Sequence, residues 1–104
     1  MREPGRPSRP VLLVTAWHLP TMRAAFRHFW RVRHLERDSC RHAPGCVRVH
    51  RWVSRRSLLL TSWWSDRASA ERWLASDAVR AVDAAARRVP GSSVTVELRG
   101  PDAT

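Results

Sequence analysis

The sequence predicts an α+β domain whose elements follow the order β-α-β-β-α-β. Three patterns support this prediction: an apolar run opens the chain after residue 10, apolar residues recur every three to four positions in two segments, and they alternate in others. Four strands and two helices in this order form a four-stranded antiparallel sheet with both helices on one face. With 104 residues, the chain accommodates one such domain.

The first strand and the first helix are predicted from the apolar pattern. Residues 11–19 are predominantly apolar, as in a strand buried on both faces, and Pro20 ends this run. Thr21 then begins a helix in which the arginines and Glu36 face water and an apolar stripe faces the sheet. The residues of this stripe are Met22, Ala25, Phe26, Phe29, Trp30, Val32 and Leu35.

A β-hairpin is predicted next. Over residues 46–53 the apolar period is two, which indicates a half-buried strand. Residues 54–57 form the turn, and an apolar strand over residues 58–64 returns antiparallel to the first. Because successive side chains of a strand point to opposite faces, Trp63 and Trp64 are predicted to lie on opposite sides of the sheet.

A second helical region and a last strand complete the predicted fold. The helical region runs over residues 67–89, and a capping signal at Ser76 starts a new helix within it. Pro90 and Gly91 end this region. The alternating residues 93–98 then form the fourth strand.

The net charge of +10 comes from 19 basic residues, all of them arginine. A charge of this size raises the expectation of an anionic partner. The sequence also lacks Lys, Ile, Asn and Tyr, which indicates GC-rich coding, and it contains no nucleic-acid-binding motif. A solvated basic surface is therefore favoured over nucleic-acid binding.

The two ends of the chain differ in composition from the domain between them. Residues 1–10 are rich in Pro and Arg and are predicted to form a disordered basic arm, residues 11–99 the domain, and residues 100–104 a flexible tail. No apolar run resembles a secretory signal or reaches the roughly 20 residues of a membrane span, so we expect a cytoplasmic protein without a membrane partner. Cys40 and Cys46 are too few for a disulfide framework and are expected to be reduced.

The predicted sheet has one face without helices. An exposed apolar sheet face favours aggregation, and a second copy of the chain is the simplest cover for it. We therefore expect a homodimer in which two sheets pack face to face.

Three segments resemble the antibiotic biosynthesis monooxygenase superfamily. They are APGCV at residues 43–47, LTSWWS at residues 60–65 and AERWLASD at residues 70–77. The similarity extends over residues 11–98. It implies a ferredoxin-like domain that assembles as a dimeric α+β barrel, with a pocket between sheet and helices. Members of this superfamily include cofactor-independent oxygenases of aromatic polyketide intermediates and haem-degrading monooxygenases.

The haem-degrading branch implies three residues, of which this chain keeps one. Trp63 matches a tryptophan near the end of the third strand. The first strand has Trp17 in place of an asparagine, and the helix has Asp83 in place of the haem-ligating histidine. A carboxylate is a poor axial ligand for haem iron, and an indole cannot replace the hydrogen bond of an amide to oxygen. Haem degradation is therefore disfavoured. The sequence also contains no Gly-rich phosphate loop and no metal-ligand spacing, so no cofactor is expected.

The six tryptophans could line a flat aromatic pocket. The two that lie on helices are predicted core residues, because they share the helical spacing of other apolar residues. Trp17 and Trp63 are the candidates for substrate binding. The resemblance implies that Trp63 faces the pocket together with Thr61 and Leu59, which lie on the same side of the strand.

Two strand histidines, His18 and His50, are candidate general bases. A histidine can take up a proton near neutral pH, and a phenol deprotonated in this way gives an anion that reacts with dioxygen. The alternative is that both histidines only solvate the sheet edge. Arg48 could pair with a carboxylate or quinone oxygen or stay solvated, and Asp83 could be a pocket acid or pair with an arginine of its helix. Solvent exposure is expected for the remaining histidines, which are His28, His34 and His42.

Several functions compete at this point. The first is a small cofactor-independent monooxygenase that acts on an aromatic, polyketide-type secondary metabolite. The second is a non-catalytic dimer of the same fold that binds a small aromatic molecule. Haem degradation and nucleic-acid binding through the arginine-rich surface are further alternatives. The fold alone does not choose among them.

Overall fold

The computed structural model describes residues 10–100. The arm predicted at residues 1–10 and the tail predicted at residues 100–104 lie outside the described residues, apart from Pro10 and Gly100. The strands are β1 (Val11–His18), β2 (Cys46–Ser54), β3 (Ser57–Trp64) and β4 (Ser93–Arg99). The helices are α1 (Met22–His34), a π-helical segment (Leu35–Ser39), a 3-10 turn (Cys40–His42), α2 (Arg67–Leu74) and α3 (Asp77–Arg87).

The strands form one antiparallel sheet in the order β2-β3-β1-β4, and the helices pack on one of its faces. This is the ferredoxin-like arrangement, so the predicted α+β class and the predicted order of elements along the chain are confirmed. The second helical region divides at the predicted capping signal, where the Ser76 hydroxyl accepts a hydrogen bond from the amide of Val79 at 3.4 Å. No helix within residues 10–100 is long and apolar enough to cross a bilayer.

The register of the two central strands decides which side chains form the core. Trp64 pairs with Val11 and Leu58 pairs with Trp17, so these four side chains share the helix-covered face, where all of them are buried. Trp63 lies on the opposite, open face, as the alternation along β3 requires. The prediction that β1 is buried on both faces is only half right, because the helices cover one face of the sheet.

Helix α1 turns a narrower row of residues to the sheet than the predicted stripe. Met22, Phe26 and Trp30 are 62, 64 and 46 % exposed, so their predicted place in the core is wrong. At about 100° per residue, Trp30 lies roughly 160° around the helix from buried Val32 and cannot reach the same sheet. The buried row of α1 and the turn after it consists of Ala25, His28, Val32 and Leu35.

His28, which the apolar stripe predicts to face solvent, is buried against Trp17. The two rings meet edge to face, with their centroids 5.5 Å apart. Neither ring nitrogen of His28 has a hydrogen-bond partner among the described residues. Burial, and to a smaller extent the charge of Arg31, lowers the pKa of His28 to about 4, so the imidazole is neutral at pH 7.

Glu36 is also buried, contrary to the prediction that it faces water. It lies in the π-helical segment, whose wider turn changes the direction of its side chains relative to α1. The carboxylate accepts hydrogen bonds from Arg51 of β2 and, at 3.5 Å, from Arg41. A β-bulge between Cys46 and Arg48 sets the register that turns Arg51 toward the helices.

The two cysteines are free thiols. Cys40 is completely buried, and desolvation together with the neighbouring Cys46 raises the pKa of its thiol. Because the thiolate is the reactive form, Cys40 is chemically inert at neutral pH and serves as a small apolar core residue.

We expect Arg51→Met to lower the free energy of unfolding by about 2–3 kcal/mol, because the buried charge of Glu36 would keep only its longer contact with Arg41. Arg37→Met is the matched control, since Arg37 follows Glu36 in the π-helical segment but is exposed. It should change the free energy by less than about 0.5 kcal/mol. Urea unfolding at neutral pH measures both, and equal effects would contradict a stabilising role of the buried ion pair.

Stability should also decrease in mild acid because of His28. The pKa of this residue is 6.5 in an unfolded chain and about 4 in the folded one, so the unfolded state binds more protons between these values. The free energy of unfolding therefore decreases as the pH is lowered through this window, by at most about 1.4 kcal/mol per pH unit. His28→Leu should remove this component. Urea unfolding between about pH 7 and about pH 4.5 measures the difference, and identical pH dependences would show that His28 is not a buried neutral imidazole.

Candidate active site

The catalytic and substrate-binding residues predicted from the sequence do not form one site, because they divide between the two faces of the sheet. Trp17 and Asp83 lie on the helix side. The others lie on the open face, and they are His18, Arg48, His50, Leu59, Thr61 and Trp63. The prediction that Trp63 and its row on β3 face the helices is therefore wrong, since the strand register gives that position to Trp64.

On the open face, β2 and β3 bring polar and aromatic side chains together. The indole N–H of Trp52 donates to the Thr61 hydroxyl at 3.1 Å, and that hydroxyl donates to the carbonyl of His50 at 3.2 Å. The ring centroids of His50 and Trp52 lie 4.4 Å apart. Trp63 pairs with Arg48 across the two strands. These contacts make a solvent-facing patch rather than an enclosed ligand site.

The two candidate bases of this face are far apart. His18 ends β1, where its Nδ1 shares a hydrogen bond of 2.7 Å with the Ser57 hydroxyl. His50 lies two strands away and is aligned, through Thr61, with Val14. The four residues from Val14 to His18 span roughly 13 Å along the strand. One phenol cannot contact both histidines.

On the helix side, Trp17 and Asp83 do come together. Trp17 Nε1 donates to Asp83 Oδ1 at 2.9 Å, which connects the central strand to α3. The same indole packs against His28 of α1. Within residues 10–100 no ion pair joins Asp83 to Arg80 or Arg87, the alternative that helical spacing predicts for it. Asp83 thus anchors an indole.

Two further tryptophans fill the space between the sheet and the helices. Trp64 packs against Trp73 with ring centroids 5.5 Å apart, and its indole N–H donates to the Ser62 hydroxyl at 2.8 Å. Trp73 donates to the Ser39 hydroxyl at 3.0 Å. Each of these buried indoles has the hydrogen-bond partner that burial requires. The pocket implied between sheet and helices is therefore filled by indoles at this place.

Space for a ligand lies instead between two helices, in what we call the α1–α3 groove. Its inner half has a volume of about 400 Å³ and has His28 in its wall. Its outer half, of about 560 Å³, continues past Arg31, Ala85 and Arg88, which line both halves. Volumes of this size accommodate a small aromatic molecule.

The inner half of the α1–α3 groove combines apolar walls with cationic side chains. None of the residues that line this inner half is acidic, so the inner half favours an anionic ligand. His28 contributes a neutral imidazole whose two ring nitrogens are buried and have no hydrogen-bond partner among the described residues. The apolar walls come from Leu19, Ala24, Ala85 and Val89. The charged lining residues, all exposed, are Arg23, Arg27, Arg31 and Arg88.

The sequence contains a signal for the burial of His28 that the aromatic residues of α1 obscure. His28 follows Ala25 by three residues and precedes Val32 by four, and Leu35 comes three residues later. This spacing describes one row of a helix. The large exposed side chains of Phe26 and Trp30 make the apolar face of α1 look wider than it is. With the face drawn that way, His28 falls among the solvent-facing residues.

The geometry does not fit the haem-degrading pattern. Trp63, the residue that matches this pattern, lies on the open face, whereas Asp83 lies on the helix side with its carboxylate bonded to Trp17. The two side chains cannot contact the same haem. Within the described part of the chain, no three His, Cys, Asp or Glu side chains are placed to hold a metal ion.

Solved structures with a similar fold come from several bacteria. SnoaB, a cofactor-independent oxygenase from Streptomyces nogalater, has 19 % sequence identity, covers 93 % of this chain and 97 % of its own, and has a TM-score of 0.66. Rv0793 from Mycobacterium tuberculosis has 17 % identity, coverages of 90 and 99 %, and a TM-score of 0.73. A conserved protein of unknown function from Bacteroides thetaiotaomicron has 8 % identity, coverages of 88 and 96 %, and a TM-score of 0.74. At these identities the similarity shows a shared fold.

A match to a protein family extends over most of the folded domain. No curated protein matches the chain. The sequence profile of the family described as "Antibiotic biosynthesis monooxygenase" matches residues 11–85, from the start of β1 to near the end of α3. This range contains Trp17, His28 and Asp83, and it confirms the resemblance seen in the sequence. The chain therefore belongs to the antibiotic biosynthesis monooxygenase family.

Proposed function

We propose that the protein is a cofactor-independent monooxygenase that acts on a phenolic, polyketide-type aromatic molecule bound in the α1–α3 groove. The observation that carries this proposal is His28, a neutral and unpaired imidazole in the wall of the inner half of the groove, where the charged lining residues are all arginines. Family membership and the fold shared with SnoaB, a cofactor-independent oxygenase, support this type of reaction.

The groove contains the groups needed to deprotonate a phenol. Both ring nitrogens of His28 are buried, so a phenol held between the apolar walls donates its O–H to one of them once the side chains over the ring move aside. Arginines at the groove stabilise the resulting phenolate and so lower the pKa of the phenol. The pKa of His28 is low in the protein alone, but an anion beside the ring raises it. Proton transfer to His28 therefore becomes more favourable as the phenolate forms.

The deprotonated substrate supplies the electrons that reduce dioxygen. The substrate reacts as the phenolic tautomer of an anthrone, in which the methylene carbon is a ring C–H, so the anion formed by loss of the O–H proton is delocalised to that carbon. The carbon transfers an electron to dioxygen and then forms a C–O bond, and the peroxide takes the proton from His28 to become a hydroperoxide. His28 then removes the remaining proton of this carbon and delivers it to the departing oxygen, so the O–O bond breaks as water leaves. The methylene becomes a ketone, one oxygen atom enters the product, and the other becomes water.

Trp17 and Asp83 act through His28 as positioning residues. The Trp17 ring packs edge to face with the imidazole, and the hydrogen bond to Asp83 holds that indole in place. A ring fixed by its neighbours holds its nitrogens in constant positions, as a general base requires. The buried pair on the helix side thus orients the base without touching the substrate.

The open sheet face supports the second part of the proposal, a homodimer. In one chain this face presents Trp52 and Trp63, which are 53 and 38 % exposed, beside the half-buried Leu12, Val14 and Leu59. An apolar patch in the middle of a four-stranded sheet is a surface that a second sheet covers well. Two sheets packed face to face leave the α1–α3 groove open, because it lies on the other side.

Oxygen consumption with a dihydroxyanthrone tests the activity. We expect His28→Gln to lower kcat/KM at least about 100-fold, because a positioned general base contributes roughly 10²- to 10⁴-fold. His42→Gln is the matched control, since His42 is an exposed histidine outside the groove. It should keep the rate of the original protein.

The same assay distinguishes the two faces of the sheet. If the open face carried the reaction, His18→Gln or His50→Gln would abolish turnover and His28→Gln would not. Binding of the anthrone without oxygen uptake would contradict catalysis and indicate the non-catalytic ligand-binding dimer.

Light scattering during gel filtration tests the dimer and should give twice the chain mass of 12.0 kDa. Leu59→Glu should shift the protein to a monomer, because it would bury a carboxylate between the two sheets. Phe26→Glu places the same charge on α1 and should leave the mass unchanged. A monomeric starting protein, or a Leu59→Glu variant that stays dimeric, would rule out this interface.

A further inference from the structure

We propose that α1 carries a second interface, an apolar ridge that docks the protein on the surface of an anionic phospholipid bilayer. The ridge consists of Met22, Phe26 and Trp30. These residues are spaced four apart, so they follow one line along the helix for roughly 12 Å. They line neither half of the α1–α3 groove and lie away from the open sheet face.

The exposure of the ridge is too large for a surface that meets only water. All three side chains are among the large apolar side chains that the structure leaves exposed. The ring centroids of Phe26 and Trp30 lie 6.2 Å apart and those of Phe29 and Trp30 5.2 Å apart, both edge to face, so the aromatic part of the ridge is continuous. Single exposed apolar residues are ordinary, whereas a continuous row of large ones marks an interaction surface.

Arginines accompany the ridge on both sides. Arg23, Arg27 and Arg31 each follow a ridge residue by one position, roughly 100° around the helix, and all three are exposed. On the other side, the guanidinium of Arg33 lies over the ring of Trp30 at 5.7 Å. No acidic residue occurs in α1. The partner that complements this charge is therefore anionic.

The shape of the ridge favours a bilayer over a folded acidic protein. Aromatic and other apolar side chains enter the boundary between headgroups and acyl chains, while flanking arginines reach the lipid phosphates. The ridge projects from the helix, and a deformable lipid surface adapts to a projection. A folded partner would need a matching acidic groove. In this arrangement α1 lies flat on the membrane surface.

Flotation of the whole protein with lipid vesicles tests the proposal. We expect binding to phosphatidylcholine vesicles that contain phosphatidylglycerol, and little binding to phosphatidylcholine alone. Added salt should weaken this binding, because it screens the attraction between arginines and lipid phosphates. No binding to the anionic vesicles at low salt, or equal binding to both kinds of vesicle, would overturn the proposal.

Variants separate the ridge from the general positive charge of the protein. The double variant Met22→Ser, Phe26→Ser should lower the partition coefficient at least about tenfold, since the apolar contribution is lost while the charge is kept. The double variant Val47→Ser, Val96→Ser is the matched control, because both valines are exposed elsewhere, and it should bind like the original protein. Unchanged binding by the ridge variant would show that charge alone attracts the protein, and the ridge would have no role.

A third variant keeps the test valid even if the serine substitutions impair folding. Trp30→Phe retains an aromatic ridge and should still bind, but brominated acyl chains in the vesicles should quench its fluorescence less than that of the original protein. Equal quenching would mean that Trp30 does not reach the lipid. Binding to soluble polyglutamate without binding to vesicles would assign the ridge to an acidic protein and also overturn the proposal.

Discussion

The pairing of β1 with β3 determines where every helix of this protein sits. It places two indoles, Trp17 and Trp64, on the same face under the helical layer, one toward each end of the strand pair. Trp17 then contacts α1 through His28 and α3 through Asp83, and Trp64 contacts α2 through Trp73. A shift of one residue in this pairing would turn the opposite set of side chains inward and remove all three anchors.

The α1–α3 groove follows from this anchoring. Both helices are attached to the same indole, and the sides on which they face each other carry short or charged side chains that leave space between them. One consequence is a buried imidazole without a partner, which costs stability that a hydrogen-bonded or apolar residue would not. Such a cost is typical of a position kept for binding or chemistry rather than for folding.

The elements and their order could be predicted from the sequence because they depend on local patterns of apolar residues. The faces could not be predicted in the same way. Alternation separates Trp63 from Trp64, but only the pairing with β1, a contact between distant parts of the chain, decides which of them is buried. The same applies to His18 and His50, whose strands are separated by β3. The burial of Glu36 depends on a π-helical segment that no periodicity reveals.

The cations around the groove and along the ridge are all guanidinium groups, since the chain contains no lysine. A guanidinium stays protonated under any condition in which a protein remains folded. Acylation of lysine side chains, the common way in which cells cancel positive charge, has no target here. The positive charge of this surface consequently does not change with pH. A bound polyanion or added salt reduces the attraction that this charge exerts.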